Sequence, residues 1–415
     1  MKNDKQQLRQ DANRRINKYG DDILAATQEL VRIPSVNPPG DYQRISEKMV
    51  EFYRAEGLEP VVATASKEDV AKLDLSSPRP NVIALMKGKA RNPVLCLDAH
   101  MDVVGVGDES KWSYPPFGGE LHNGRIYGRG AADTKGHLAI QLIVVRVLKE
   151  MGLELSGDLI LSSTVDDEIG AWPGMGFLLE QGFESHGFPK PDFHIVGEPT
   201  GIGLCGCLSR GRVWYEYMLK GKAAHGGNPK EGINAIEKAI ALANAVQAYP
   251  VKSDPLMGTD TINIGIIQGG DAINVVPSSC TITFDIRPTT KKEVVKSFIN
   301  KTIQRLKDED PEFVVESIRL LNDRKTGGIG PDHEFVKIIQ DVVKEQTGKR
   351  VEPTGDFGGY SSLGNAYWTS QNGIAGVMYG AGAFDRAHSV DEYIAVDELI
   401  EMCQVFMGLV IELCA

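Results

Sequence analysis

The sequence predicts an α/β fold, in which a mixed, mostly parallel sheet is flanked by helices and carries an inserted ferredoxin-like α+β domain. Apolar strand-like runs alternate with helical segments in the first half of the chain. From residue 213 the predicted order becomes β-α-β-β-α-β, which is the ferredoxin-like arrangement. The α/β alternation then resumes. We therefore expect a larger domain formed by residues 1–209 and 323–415, with residues 210–322 inserted into it.

In the larger domain, apolar residues with helical spacing predict helices over 21–32, 42–57 and 136–151. The first of these ends before Ile33-Pro34, because proline stops a helix. Strands are predicted over 81–86, 93–97, 158–164 and 193–197. The almost wholly apolar run 93–97 is typical of a buried strand. After the insertion, the pattern predicts helices over 335–346 and 396–414 and a strand over 375–379.

The inserted domain has a different order of predicted strands and helices. Strands are predicted over 213–220, 260–267, 280–287 and 313–320, and helices over 233–248 and 291–306. These elements account for a compact unit of about a hundred residues.

Composition excludes several classes of protein. The net charge of −11 argues against sequence-independent nucleic-acid binding, which needs lysine and arginine. The sequence has no apolar run of membrane-spanning length, and its charged N-terminus lacks the apolar core of a secretory signal. Six scattered cysteines predict no disulfide framework. Cys205-Gly-Cys207 is a candidate metal pair, but a buried apolar role is favoured because no second pair is near. We expect a cytoplasmic protein with no membrane or nucleic-acid partner.

Polar motifs follow the apolar strands. Residues 97–102 (LDAHMD) place His100 and Asp102 on one face of an extended segment, which suits a metal-bound imidazole with a carboxylate beside it. Alone this pair is weak, because HxD is common by chance. The glycine-rich run 128–136 brings Asp133 to the start of a helix, but it lacks the residue order of a phosphate-binding loop.

Three further acidic or histidine segments complete the pattern. The acidic run Asp166-Asp167-Glu168 follows an apolar strand and is either part of a site or a solvated turn. Glu198 also directly follows an apolar strand, and His388 lies in a polar loop.

Together, in this order and spacing, the motifs resemble those of the metallopeptidase and amidohydrolase family of acetylornithine deacetylase, succinyl-diaminopimelate desuccinylase and glutamate carboxypeptidase. The resemblance begins at residues 30–40 (LVRIPSVNPPG) and continues to the C-terminus. It implies a zinc-exopeptidase-like catalytic domain and a dinuclear metal centre. The insertion would then act as a lid and dimerisation domain, giving a homodimer.

The resemblance assigns ligands to two divalent ions. His100, Asp133 and Glu198 would hold one ion, and Asp133, Glu168 and His388 would hold the other, with Asp133 bridging. Imidazole and carboxylate ligands fit zinc first, with cobalt or manganese as alternatives. Two metals about 3.5–4 Å apart can polarise a carbonyl and activate water.

The resemblance also assigns roles to two acidic residues near the ligands. Asp102 would orient His100. Asp167 occupies the position of the general base, which takes a proton from water and passes it to the leaving nitrogen. The family usually has glutamate at that position. Because aspartate is one methylene shorter, its carboxylate would reach the water only after a small backbone shift.

Four residues are predicted to contact substrate. In the inserted domain, His225 resembles a family histidine that stabilises the oxyanion across a dimer, and Asn274 resembles a second contact. Arg287 is predicted either to bind a substrate carboxylate or to pair with Asp285. Tyr360 lies in a stretch that departs from the family pattern (GGYSSL, 358–363), and it would stack on substrate or simply pack.

We therefore expect a metal-dependent hydrolase that cleaves the amide bond of a small N-acyl amino acid. A dipeptidase or carboxypeptidase acting on short peptides is the alternative within the same class. A catalytically weak, metal-dependent binding protein is the alternative from another class.

Overall fold

The computed structural model describes residues 2–75, 78–170, 172–359 and 361–415. The chain forms two units, one from Met1–Cys207 together with Gly328–Ala415 and the other from Leu208–Gly327. Among the described residues, no helix combines the length and apolar character needed to cross a bilayer.

The elements of the first unit up to residue 207 follow in chain order. The strands are β1 (Val61–Thr64), β2 (Pro80–Met86), β3 (Val94–His100), β4 (Glu120–His122), β5 (Arg125–Tyr127), β6 (Asp158–Thr164), β7 (Phe193–Val196) and β8 (Leu204–Gly206). The helices are α1 (Lys2–Ile16), α2 (Gly20–Val31), α3 (Gln43–Ala55), α4 (Lys67–Ala71), α5 (Gly136–Glu150), α6 (Met175–Phe177) and α7 (Phe183–Ser185).

The remaining elements continue the numbering. Between residues 208 and 328 lie β9 (Leu208–Ser209), β10 (Arg212–Lys220), α8 (Ala235–Gln247), β11 (Ser253–Asp254), β12 (Gly258–Thr259), β13 (Thr261–Gly269), β14 (Ser279–Arg287), α9 (Lys292–Glu309), β15 (Val314–Arg324) and β16 (Gly327–Gly328). The chain ends with α10 (Glu334–Thr347), β17 (Glu352–Thr354), α11 (Ala366–Gln371), β18 (Ala375–Met378), β19 (Tyr393–Ala395) and α12 (Val396–Cys414).

The first unit is built on an eight-stranded mixed sheet in the order β1-β2-β6-β3-β7-β18-β8-β17. Its centre is parallel, because β6, β3, β7 and β18 run in one direction. β3 and β6 are buried along their whole length, as expected for strands covered on both faces. The predicted mostly parallel α/β sheet is confirmed.

Helices cover the sheet. α5 is buried over most of its surface and packs against α2 and α12. The N-terminal helix α1 packs against α12, and Arg9 forms ion pairs with Glu345 and Glu412. The segment 2–16 is charged and has little apolar periodicity, so its sequence did not predict this helix.

The second unit has an antiparallel four-stranded sheet in the order β13-β14-β10-β15. Alternate residues of β10, from Val213 to Leu219, are buried in one core with residues of α8 and α9. The strand order and the two helices confirm the predicted ferredoxin-like arrangement.

Candidate metal centre

The carboxyl ends of the parallel strands β3, β6 and β7 meet at one edge of the main sheet. The register places His100 beside Thr164, which are the last residues of β3 and β6. The acidic turn 166–168 follows β6, and Glu198 comes shortly after β7. This edge is where α/β sheets usually form their sites, because loops from several strands converge there.

Five predicted ligands lie close together at this edge. His100 Nε2 lies 3.0 Å from Asp133 Oδ1 and 3.7 Å from Glu198 Oε1. His388 Nε2 lies 3.3 Å from Asp133 Oδ2 and 3.0 Å from Glu168 Oε2. Asp133 therefore turns one carboxylate oxygen toward each imidazole, as a bridging ligand must.

Among the residues that the structure describes, two groups of three donors are compact enough to hold a cation. His100, Asp133 and Glu168 form one group, and His100, Asp167 and Glu198 form the other, with donor atoms within 4.8 Å of one another in each. Asp167, predicted as a base rather than a ligand, thus lies against the same cluster. The chain has a candidate metal site.

The electrostatics of the cluster also fit a cation. Burial and the neighbouring Asp133 raise the pKa of Glu168 to about 7, and the same two causes raise the pKa of Glu198 well above its ordinary value. Hydrogen bonds with Asp133 and Glu168 raise the pKa of His388 to about 11. The carboxylates thus favour positive charge on the imidazoles, and a divalent ion supplies that charge in place of protons.

Asp102 connects the first histidine to the acidic turn. Its backbone oxygen lies 2.9 Å from His100 Nδ1, whereas its carboxylate Oδ1 lies 3.5 Å from the same nitrogen. The carboxylate accepts hydrogen bonds from the backbone N–H groups of Asp167 (3.3 Å) and Glu168 (3.2 Å). When Nδ1–H donates to that backbone oxygen, Nε2 is left as the ligating nitrogen of His100.

A buried ion pair missed by sequence analysis lies beneath the acidic turn. Arg79 Nη1 donates to Asp166 Oδ1 at 2.7 Å, and both side chains are buried. The same oxygen accepts hydrogen bonds from Tyr42 (2.7 Å) and Asn37 (3.0 Å), and Asn37 also donates to Asp102. No local pattern around the Pro-Arg-Pro segment at 78–80 indicated this role for Arg79.

Glu392 is a second residue that sequence analysis missed. Its Oε1 accepts hydrogen bonds from the backbone N–H groups of Gly130, Ala132 and Asp133. It was visible in the sequence only as the second of two acids after His388. The glycine-rich loop and Glu392 are far apart in the chain, so no spacing rule joins them.

Asp167 and Glu198 approach each other beside Gly364. A Cβ added to Gly364 would lie 2.9 Å from Glu198 Oε1 and 3.2 Å from Asp167 Oδ1. Asp167 contributes to the raised pKa of Glu198, after burial and Asp133. The predicted base is therefore next to the candidate ligands, and its catalytic role stays a prediction.

The predicted substrate contacts of the second unit lie in neighbouring loops. His225 forms a β-bridge with Val275, and the Gly226 N–H donates to the Asn274 carbonyl at 2.7 Å. His225 and Asn274 are both exposed. Arg287 instead pairs with Asp285 through hydrogen bonds of 2.6 and 2.8 Å, which is the alternative that the sequence left open. Tyr360 lies outside the described residues.

Comparison with known proteins places the chain in a family. Residues 96–412 match the model of peptidase family M20/M25/M40. An N-formyl-4-amino-5-aminomethyl-2-methylpyrimidine deformylase from Halalkalibacterium halodurans is 26% identical, and the alignment covers 96% of each chain. A probable succinyl-diaminopimelate desuccinylase from Staphylococcus aureus is 25% identical over 80% of this chain and 86% of the relative.

A solved structure has the same fold. The dinuclear metal binding peptidase of the M20 family from Bacillus subtilis superposes with a TM-score of 0.68 at 15% identity, covering 95% of this chain and 98% of its own. The predicted family resemblance is confirmed. The chain therefore belongs to peptidase family M20/M25/M40 and is a metallohydrolase that acts on amide or peptide carbon–nitrogen bonds.

Proposed function

We propose that the chain is a deacylase that hydrolyses the amide bond of a small N-acyl amino acid. The observation that carries the proposal is the cluster in which the buried Asp133 faces both the buried His100 and the more exposed His388. The names of the two relatives, a deformylase and a desuccinylase, support removal of an acyl group rather than cleavage of a peptide.

The proposed centre binds two divalent ions, zinc first and cobalt or manganese as alternatives. His100, Asp133 and Glu198 would hold one ion, and Asp133, Glu168 and His388 would hold the other. When bound, the ions polarise the scissile carbonyl and lower the pKa of the attacking water.

Asp167 is the proposed general base. As the oxygen of water bonds to the carbonyl carbon, Asp167 accepts the proton that the water releases. It then donates that proton to the amide nitrogen as the carbon–nitrogen bond breaks, so the products are a carboxylic acid and an amine. Asp102 keeps the base in place, because its carboxylate accepts the Asp167 backbone N–H.

His225 and Asn274 are the proposed donors to the oxyanion that forms on the carbonyl oxygen. Their exposure and the hydrogen bond between their loops support a joint role. Arg287 and Tyr360 are the further proposed substrate contacts, and Arg287 would exchange Asp285 for a substrate carboxylate.

We further propose that the segment 210–322 is the lid and dimerisation domain of a homodimer. Isoleucines exposed on its edge strands β13 and β15, including Ile266 and Ile318, support this assignment. The six free, buried cysteines support residence in a reducing cytoplasm.

A panel of substrates tests the proposed function. The zinc-loaded protein is assayed with N-formyl, N-acetyl and N-succinyl amino acids and with dipeptides, and an Asp133→Asn variant serves as the inactive control. We expect the N-acyl amino acids to give the highest kcat/KM. Preferential cleavage of dipeptides would favour the peptidase alternative. No hydrolysis by a metal-loaded protein would favour the binding protein.

A further inference from the structure

Three backbone N–H groups of the glycine-rich loop, residues 128–136, point toward one carboxylate oxygen of Glu392. Glu392 Oε1 accepts hydrogen bonds from Gly130 (3.0 Å), Ala132 (3.1 Å) and Asp133 (3.2 Å). Gly130 has a φ of 86°, a conformation that favours glycine and allows the N–H groups to converge. Convergent N–H groups of this kind bind anions. In this chain the anion is the carboxylate of a distant glutamate.

The other oxygen of the same carboxylate is also engaged. Arg129 Nη1 donates to Glu392 Oε2 at 2.5 Å, and the two residues are only 2% and 0% exposed. The guanidinium also lies 5.3 Å from the ring centre of Trp112. A buried carboxylate is costly unless it is paired and hydrogen-bonded. Glu392 meets that condition only while the loop keeps its present conformation.

Strand pairing fixes the register of the two segments. β19 pairs with β5 and sets Tyr393 opposite Tyr127, and the Gly128 N–H donates to the Glu392 carbonyl at 2.8 Å. The glycine-rich loop leaves β5, and Glu392 directly precedes β19. One local contact therefore joins the segment that carries Asp133 to the segment that carries His388.

We infer that Glu392 is a positioning residue that fixes the bridging aspartate Asp133 relative to His388. The inference rests on the proposed role of both residues as metal ligands. Glu392 acts through the Asp133 backbone and contacts neither substrate nor reacting atoms. Removing its carboxylate leaves three N–H groups without their acceptor, so the Asp133 carboxylate is no longer held in its position between His100 and His388.

Metal affinity and anion rescue test this inference. Chelator-treated wild type and Glu392→Ala are titrated with Co²⁺, and binding is followed by Co²⁺ absorption without substrate. We expect Glu392→Ala to bind about 10–100-fold more weakly, as is usual when a group that supports a ligand is lost. Formate is small enough for the space that the side chain leaves and can accept hydrogen bonds from the same N–H groups. It should therefore restore the affinity for Co²⁺. Neutral formamide should not.

Controls separate the possible failures. Wild type is titrated with formate present, so that a direct effect of formate on Co²⁺ is subtracted. Glu392→Gln keeps the side-chain volume but sets an amide N–H against Arg129, so it should also bind more weakly and should not respond to formate. This variant decides the question if Glu392→Ala fails to fold.

The outcomes are distinct. Wild-type Co²⁺ affinity in a folded Glu392→Ala or Glu392→Gln protein would overturn the inference. Weaker binding that formamide restores as well as formate would also overturn it, because the effect would then be one of packing. If wild type itself binds no Co²⁺, the proposed function fails together with the inference.

Discussion

At the scale of single residues, the acidic turn sends three consecutive carboxylates in three directions. Asp166 turns inward to Arg79, Asp167 lies beside Gly364, and Glu168 reaches His388. The sequence indicated the acidic turn but not this division. The direction of each side chain depends on the local backbone, and Asp166 has the unusual φ of 64°.

Replacing the proposed base tests its role directly. Asp167→Asn removes the proton acceptor while keeping the side-chain size. We therefore expect kcat to fall by about 10²–10⁴-fold, with metal content near that of wild type. Rates are measured on an N-acyl amino acid, and bound metal is measured by mass spectrometry. Asp341→Asn changes an exposed aspartate of α10 and should behave as wild type. An Asp167→Asn enzyme with most of its turnover would remove Asp167 from this role.

Gly364 tests how tightly the site is packed. Gly364→Ala adds a Cβ within 2.9 Å of Glu198 Oε1, so we expect lower metal affinity and lower turnover. Gly373→Ala is the matched control, because Gly373 also has a positive φ, of 72°, but has no atoms within 4 Å of an added Cβ. Backbone strain alone would affect both variants in the same way. Equal metal affinity in the two variants would contradict the predicted clash.

One buried histidine should account for part of the loss of folding stability at low pH. Burial lowers the pKa of His137 to about 4, and its Nε2 accepts the Ala381 N–H at 2.8 Å. The folded state therefore keeps this imidazole neutral, whereas the unfolded state takes up a proton below a pH of about 6.5. The stability that His137 contributes is present above that pH and is lost as pH falls toward 4.

A variant that cannot titrate isolates this effect. Between pH 7 and pH 5, we expect His137→Gln to lose about 2 kcal/mol less unfolding free energy than wild type. Urea denaturation in the presence of chelator measures the difference. His186→Gln is the control, because His186 is exposed. An equal loss in wild type and His137→Gln would contradict the prediction.

At the scale of elements, buried hydrogen bonds from other segments of the chain hold the loops that follow the parallel strands. The segment after α2 supplies Asn37, which donates to both Asp102 and Asp166, and Arg79 directly precedes β2. The edge that carries the candidate metal site is thus held in place by a buried polar network that crosses several elements.

Breaking the ion pair of this network should be costly. We expect Arg79→Leu to lower the free energy of unfolding by about 3–5 kcal/mol, because it leaves the Asp166 carboxylate buried and unpaired. Urea denaturation in chelator measures this loss. Lys89→Leu breaks the exposed pair with Glu154, whose side chains are 72% and 70% exposed, and should cost less than about 1 kcal/mol. Similar losses in the two variants would show that the Arg79–Asp166 pair is not a stabilising anchor.

Most elements could be predicted because their signals are local. The apolar run at 158–164 matches β6, and the periodic segment at 396–414 matches α12. Helix α1 was missed because its stability comes from packing on α12 and from ion pairs of Arg9, which are contacts between distant parts of the chain. Glu392 and Arg79 were missed for the same reason.

At the scale of the whole molecule, the order of the strands brings the candidate ligands together. Parallel β3, β6 and β7 bring segments from residues 100, 168 and 198 to one edge, and the chain returns after the insertion to add His388. The proposed ligands could be predicted from the sequence because all the motifs together resemble the family pattern. No single motif would have been enough. The identity of the substrate has no such signal, because it depends on the shape of the pocket around these groups.

The central claim, a hydrolase that needs two divalent ions, is tested most directly by titrating zinc into chelator-treated protein. Bound zinc and hydrolysis of the best N-acyl amino acid are measured at each step. The account predicts negligible activity without metal and full activity at about two equivalents per chain. Asp133→Asn should lose both tight binding and activity, because it removes the carboxylate between His100 and His388. Full activity in the metal-free protein, or no zinc binding by wild type, would contradict the account.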